Sequence, residues 1–239
     1  MNPRDSIPMP KPAAALAHID TWIFDLDNTL YPASCRLFDQ VDRLIGRFIE
    51  LELGLDAAAA RTLQKRYFRE HGTTLAGLMR HHAIDPHEFL DFVHQIDVTP
   101  VEPSPALDRA IGRLPGRKLI YTNGSVDHAE RVMRRLGVHP HFEAVFDIVA
   151  GDFVPKPEAA SYRRLIERHA IDPSRAVLIE DLPKNLVPAA ALGMATVLVA
   201  TDCEWAAEDA PGDHVHHRTD DLTAWIDAVA DAIASAPRR

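Results

Sequence analysis

Two cysteines, Cys35 and Cys203, are too few for a disulfide framework in 239 residues, and they suit a reducing compartment as ordinary free thiols. Cations are also scarce: 26 lysines and arginines face 35 aspartates and glutamates, a formal net charge of −9 at pH 7. That balance argues against general affinity for a nucleic acid polymer or an anionic membrane. A small anionic substrate stays compatible, because one local cation or bound metal outweighs a diffuse surface field. No apolar stretch reaches the length of a membrane span. Residues 1–18, rich in proline and alanine, lack the long apolar core of a secretory signal and read as a flexible leader. The expected setting is soluble and cytoplasmic. No internal repeat is present, and no Gly-x-Gly-x-x-Gly follows the first strand-like run, so the dinucleotide-binding fingerprint is missing.

What remains is globular, with 46% hydrophobic and 26% charged residues and enough chain for a full-sized core plus an insertion. Thr21–Phe24 has the character of a short buried strand. From Leu37 to Leu53 the apolar positions recur at three and four, the mark of an amphipathic helix, and Gly54 is a fitting stop. Ala57–Glu70, Leu75–His82 and Pro86–Gln95, with Asp85 as N-cap, extend the helical material until Pro100, Pro103 and Pro105 break the chain. Beyond them strand and helix alternate. Leu119–Tyr121, Val145–Val149, Ala176–Ile179 and Thr196–Val199 read as strands. Val126–Leu136, a segment opened by Pro157 and running to about Ala170, Lys184–Leu192 and Leu222–Ile233 read as helices. The pattern predicts an α/β fold, a doubly wound parallel sheet interrupted by an all-helical insert. The expected boundaries are a core of residues 19–34 and 101–239 and an insert of 35–100, with proline-bearing crossings at Tyr31–Ser34 and Val98–Ser104 acting as hinges.

Four short stretches stand in order along this frame: Asp25-Leu26-Asp27-Asn28-Thr29, Thr122-Asn123-Gly124, Lys156-Pro157 and Glu180-Asp181. Three directly follow predicted strands, and parallel strands end together on one edge, so their groups converge. Carboxylates, a hydroxyl and an ammonium around one crevice suit a divalent metal and a phosphate. Asp25 is the candidate nucleophile, in a reaction divided through a covalent intermediate. Asp27 is the candidate acid and base at the leaving-group oxygen, with a raised pKa expected in the free site. Thr122 and the backbone N–H groups of Asn123 and Gly124 are candidate phosphoryl donors, and Lys156 a point charge for developing negative charge. Asp181, with Glu180, Asp25 and a backbone carbonyl near Asp27, supplies hard oxygen ligands for Mg²⁺. Each motif alone is weak. The ordered set at strand exits is specific.

This set resembles the haloacid dehalogenase-like hydrolase superfamily. Phe24-Asp25-Leu26-Asp27-Asn28-Thr29-Leu30-Tyr31 is similar to its first motif, and the other three stretches to its second, third and fourth. The resemblance spans about Ile19 to Ala200. It implies a Rossmann-like core with a helical cap, the nucleophile at Asp25, acid/base at Asp27, phosphate-binding hydroxyl at Thr122, lysine at Lys156 and metal acid at Asp181. Glu180 stands where the family often has aspartate, and Asn185 is a candidate supporting residue. An aspartate at the position of Asp27 implies the phosphatase branch rather than the dehalogenases. The first motif and short cap are most similar to pyrimidine 5′-nucleotidases, implying a substrate such as UMP or CMP. The alternative is another small ester, such as phosphoglycolate or a sugar phosphate. A nucleotide-binding module or scaffold without turnover is the rival from another class. His81-His82 and His214-x-His216-His217 are read as solvated histidines. Arg61, Lys65, Arg66 and Arg69 are read as a face of an insert helix, with a second reading that some steer an anionic substrate. Trp22, Trp205 and Trp225 are read as packing residues.

Overall fold

The computed structural model describes residues 16–201 and 212–235. Cys203 and Trp205, and the leader up to residue 15, lie outside the described residues. The chain enters through β1 (Thr21–Phe24) and leaves for four helices: α1 (Leu37–Leu53), α2 (Ala57–His71), α3 (Thr74–His82) and α4 (Pro86–Val93). It returns through α5 (Pro105–Arg113) and β2 (Arg117–Tyr121), then α6 (Val126–Leu136), β3 (Ala144–Phe146), α7 (Ala159–His169) and β4 (Ala176–Glu180). It finishes with α8 (Pro183–Ala191), β5 (Ala195–Val199), β6 (His217–Thr219) and α9 (Leu222–Ser235). The strands form one parallel sheet in the order β3-β2-β1-β4-β5-β6. This is a doubly wound, Rossmann-like core with an all-helical cap inserted after β1.

Strand alternation explains the layers. Trp22, Phe24, Ile120, Val177, Ile179, Val197 and Val199 point to one face and pack with residues of α5, α6 and α9, among them Leu107, Val132 and Ile226. Ile23, Leu119, Tyr121, Leu178 and Leu198 point to the other, against Tyr162 and Leu165 of α7 and Leu186 of α8. A strand buried on both faces has apolar residues at every position, as Thr21–Phe24 and Ala176–Glu180 nearly do. Within the cap, α1 ends where Gly54 takes a φ of 64°, a conformation that favours glycine. Asp56, Thr73 and Asp85 accept N–H bonds at the starts of α2, α3 and α4.

Several sequence expectations need correction. Pro105 does not break the chain: it occupies the first turn of α5, whose N-cap Ser104 accepts the Leu107 N–H at 3.3 Å. Pro157 does not open a helix. It follows a cis peptide bond after Lys156, and α7 starts at Ala159 behind Glu158. The strand expected over Val145–Val149 runs only over Ala144–Phe146, because Asp147 instead accepts the Val126 and Ala150 N–H groups and turns the chain. Edge strand β6 incorporates His217, in a segment read as solvated.

Candidate active site

β1 is where the winding reverses: β2 and β3 lie on one side of it and β4 to β6 on the other. Groups beyond the carboxyl ends of β1 and β4 therefore face a crevice. Register fixes how they meet. Phe24 pairs with Ile120 and with Ile179, and the Asp25 N–H continues the ladder to the Ile179 carbonyl at 2.9 Å. Asp25, Thr122 and Glu180-Asp181 thus leave the sheet at one level.

Lys156 reaches this edge from the loop after β3. Its Nζ donates to Asp25 Oδ1 at 2.6 Å, to Glu180 Oε2 at 2.6 Å and to the Tyr121 carbonyl at 3.0 Å, using all three ammonium protons. Asn123 holds the lysine's backbone from both sides: its Oδ1 accepts the Lys156 N–H at 2.8 Å and its Nδ2 donates to the Lys156 carbonyl at 3.3 Å. Glu180 Oε1 accepts the Leu182 N–H at 3.3 Å. Lys156, Asp25, Glu180 and Asp181 are 2%, 6%, 1% and 4% exposed, so their charges meet with little water between them.

Ligand oxygens of Asp25, Glu180 and Asp181 lie within 4.8 Å of one another. One ammonium cannot neutralise three buried carboxylates. Burial, then Glu180, pushes the Asp25 carboxyl up to about 7 despite the opposing Lys156 charge. Burial, Glu180 and Asp25 together raise Asp181 well above the carboxylate range. Burial favours a neutral Lys156, but Asp25 and Glu180 outweigh it and hold the ammonium above its ordinary pKa. A hard divalent cation would relieve this excess of negative charge, and an all-oxygen donor set fits Mg²⁺ or Ca²⁺ better than zinc.

Asp27 lies apart from that group and contradicts the raised pKa expected for it. Burial pushes it up, but its Oδ1 accepts from His128 Nε2 at 2.8 Å and Tyr31 Oη at 2.6 Å, and the net effect lowers it to about 2. His128 in turn stacks on His94 from the cap, with ring centroids 4.6 Å apart and planes 7° apart. The Gly124 N–H is committed as well: it donates to Thr122 Oγ1 at 2.9 Å, which leaves the Thr122 hydroxyl proton for another acceptor. Sequence reasoning missed Tyr31, His94 and His128. Tyr31 stands only four residues from Asp27, whereas His128 is 101 away and nothing local announces it.

Cap and core enclose a cavity of about 370 Å³ over these groups, lined by Asp25, Asp27, Thr122, Asn123, Gly124, Lys156, Glu180, Asp181 and Asn185 from the core. From the cap come Phe38, Arg61, Lys65, Phe68, Arg69, Phe89 and His94. Arg66 instead lies over the Tyr67 ring at 5.2 Å. Gly72, at the end of α2, approaches the Lys156 loop so closely that a Cβ there would sit 3.2 Å from the Lys156 carbonyl oxygen. Within the insert, α1 is tied to the chain just before the return crossing, with Gln40 Nε2 donating to the Asp97 carbonyl at 2.8 Å and Gln40 Oε1 accepting the Asp97 N–H at 3.1 Å. Arg131 and Arg135 of α6 hold the carbonyls of His94, at the end of α4, and of Val101 on the return crossing, each at 2.8 Å. The remaining histidines do not join the carboxylates: His82 Nε2 meets Tyr67 Oη at 2.8 Å, and His216 Nδ1 accepts the Thr196 N–H at 3.2 Å. Trp22 and Trp225 are buried packing residues, Trp22 donating to the Pro115 carbonyl at 2.8 Å.

Comparison with known proteins agrees with this architecture. Phosphate metabolism protein 8 of Saccharomyces cerevisiae is 25% identical over 225 residues, covering 85% of this chain and 67% of that protein. CbbY from Rhodobacter sphaeroides, solved in complex with phosphate, superimposes with a TM-score of 0.61 at 18% identity, covering 86% of this chain and 95% of CbbY. A HAD phosphatase from Thermococcus onnurineus gives a TM-score of 0.56 at 16% identity, over 84% of this chain and 93% of its own. At those identities the two structures speak for the fold alone. The family model for haloacid dehalogenase-like hydrolases matches residues 19–193, which include all four motifs, and the chain belongs to that family of hydrolases.

Proposed function

We propose that this hydrolase is a Mg²⁺-dependent phosphomonoesterase acting through an aspartyl-phosphate on Asp25. The observation that carries the reading is the buried cluster of Asp25, Glu180 and Asp181 around the Lys156 ammonium, open to a cavity of substrate size. Phosphate monoesters hydrolyse so slowly in water that roughly 20 kcal/mol or more of barrier must be removed. Mg²⁺, held by Asp25 and Asp181 with Glu180 and the Asp27 carbonyl beside it, would neutralise phosphoryl oxygens and favour the ionised form of Asp25.

The chain's own groups then divide the work. An Asp25 carboxylate oxygen bonds to phosphorus as the ester P–O bond breaks. Asp27 delivers a proton to the departing oxygen and later takes one from the water that cleaves the acyl phosphate. Its low resting pKa suits the ionised form that takes the water's proton, and the like charge of an incoming phosphoryl group raises its proton affinity for the donor step. Thr122 offers its hydroxyl proton to a phosphoryl oxygen. Lys156, positioned by Asn123, stays charged throughout. The cap, residues 35–100, excludes water above the core of 19–34 and 101–239, moving about the crossings at 31–34 and 98–104. The small number of cysteines supports a cytoplasmic setting.

Phosphate release that requires Mg²⁺ and stops with EDTA is the expected result, and it separates this reading from a nucleotide-binding module or scaffold without turnover. Adding Mg²⁺ should also stabilise the fold, by about 3 kcal/mol at a hundredfold excess over Kd, read as a raised Tm, and Asp181→Asn should remove most of that rise. Asp27→Asn should lower turnover of alkyl phosphates ~10²-fold or more but spare an activated aryl phosphate. Equal losses on both esters would contradict the proton-donor role. For the substrate, the first motif supports a pyrimidine nucleotide such as UMP or CMP. The basic wall of the cavity favours a second reading, a different small phosphate ester.

A further inference from the structure

Resting on the phosphatase reading, we propose that Arg69, Lys65 and Arg61 form a second anion site in the same cavity. The substrate is then a small phosphate ester carrying a further phosphate or carboxylate. The three cations stand at intervals of four on α2, so they share one helix face, each about 6 Å farther along the axis. All three line the cavity. The orientation of α2 is fixed by its far end. Gly72 packs on the Lys156 loop, and Phe68 lies under Lys184 Nζ at 4.2 Å, at the start of the helix that follows Asp181. Arg69 is therefore the cation nearest the reacting carboxylates, with Lys65 and Arg61 stepping away from them.

A charged face of a surface helix is ordinarily solvated and needs no ligand. This one lines the cleft over the reacting carboxylates and carries a charge there that no described acid pairs. Asp42 of α1 is the only acid of the cap on the cavity wall, and it is paired with Arg61 and with Lys65, the latter at 3.2 Å. Arg69 is exposed and makes no ion pair or hydrogen bond among the described residues. Arg69 thus brings to this wall a positive charge that no acid among the described residues answers, facing a reaction centre whose own charge is negative. A metal-bound phosphoryl group satisfies one end, and a second anion on the substrate satisfies the other with charge-assisted bonds to the guanidinium. The neutral base of a pyrimidine nucleotide would offer Arg69 no anion.

The test pairs alkanediol monophosphates with the matching bisphosphates and ω-carboxylates, alongside UMP and p-nitrophenyl phosphate. The full chain should favour the doubly anionic esters by ~10-fold or more in kcat/KM, and Arg69→Gln should erase most of that advantage through KM. Turnover of p-nitrophenyl phosphate by the variant should stay within about twofold. Equal kcat/KM across each pair, or an Arg69→Gln loss shared by every ester, overturns the second site while leaving the phosphatase reading standing. The converse failure is separable by thermal shift. If no ester releases phosphate, yet an alkane bisphosphonate raises the Tm more than its monophosphonate and Arg69→Gln removes the difference, the anion site stands and the phosphatase reading falls.

Discussion

Asp25→Asn is expected to lower phosphate release ~10⁴-fold or more while leaving the fold intact. Removing this carboxylate deletes the attacking atom, and none of its neighbours can replace it. Glu180 Oε2 is bound to Lys156 and Oε1 to the Leu182 N–H, and Asp181 is needed for the metal. The fold should survive because Lys156 keeps Glu180 and the Tyr121 carbonyl as acceptors. The metal-free protein should even gain stability from the change, and the gain should depend on pH. Asp25 has a folded pKa of about 7, above the ordinary aspartate value of 3.8, so between these values the native state binds the extra proton. Stability due to this group is thus present below pH 3.8 and is lost as pH rises through 7. The Tm difference between Asp25→Asn and wild type in EDTA should widen over that window and shrink when Mg²⁺ is restored. Circular dichroism melts across the range check it. A flat difference would mean that Asp25 ionises normally and the carboxylates do not repel.

Lys156→Met should have the largest effect on stability. The methionine matches the lysine's length but brings no charge, so Asp25, Glu180 and Asp181 would be left buried without a cation. Removing one partner from a buried ionic cluster costs about 3–5 kcal/mol. At roughly 2–4 °C per kcal/mol for a domain of this size, Tm should fall by about 6–20 °C. The loss should be smaller at acid pH, where Asp25 and Asp181 take up protons. Mg²⁺ should recover part of it by supplying the missing positive charge. Turnover should remain impaired even then, since the ammonium also faces the phosphoryl group. A Tm unchanged by the substitution would show that the cluster is less dry, and less coupled, than its burial indicates.

These expectations depend on convergence that was largely legible in the order of the motifs. Short apolar runs announced β1, β2, β4 and β5, and a parallel sheet brings their carboxyl ends together whatever the loops do. The three-four recurrence from Leu37 to Leu53 gave α1 with its bounds, since propensity, amphipathicity and the Gly54 stop all agreed. Proline misled twice, because the same residue can end a helix, begin one or follow a cis bond. Pro105 begins one behind Ser104, and Pro157 follows the cis bond. Strand β6 was hidden because His217–Thr219 is polar and pairs on one side only. The misjudged pKa of Asp27 has a different origin. A carboxylate's ionisation depends on its partners in space, and His128 arrives from the first turn of α6, on the far side of the cap in sequence. Likewise Arg61, Lys65 and Arg69 could be placed on one helix face from their spacing, but only the packing of α2 over the Lys156 loop turned that face into a cavity wall.

The most direct test of the central claim is rapid acid quenching of the enzyme during turnover of a radiolabelled phosphate ester, followed by peptide mapping. The account predicts a transient, hydroxylamine-sensitive label on the peptide containing Asp25, absent from Asp25→Asn and absent without Mg²⁺. A label on any other side chain, or full turnover with no labelled protein at any quench time, would contradict it.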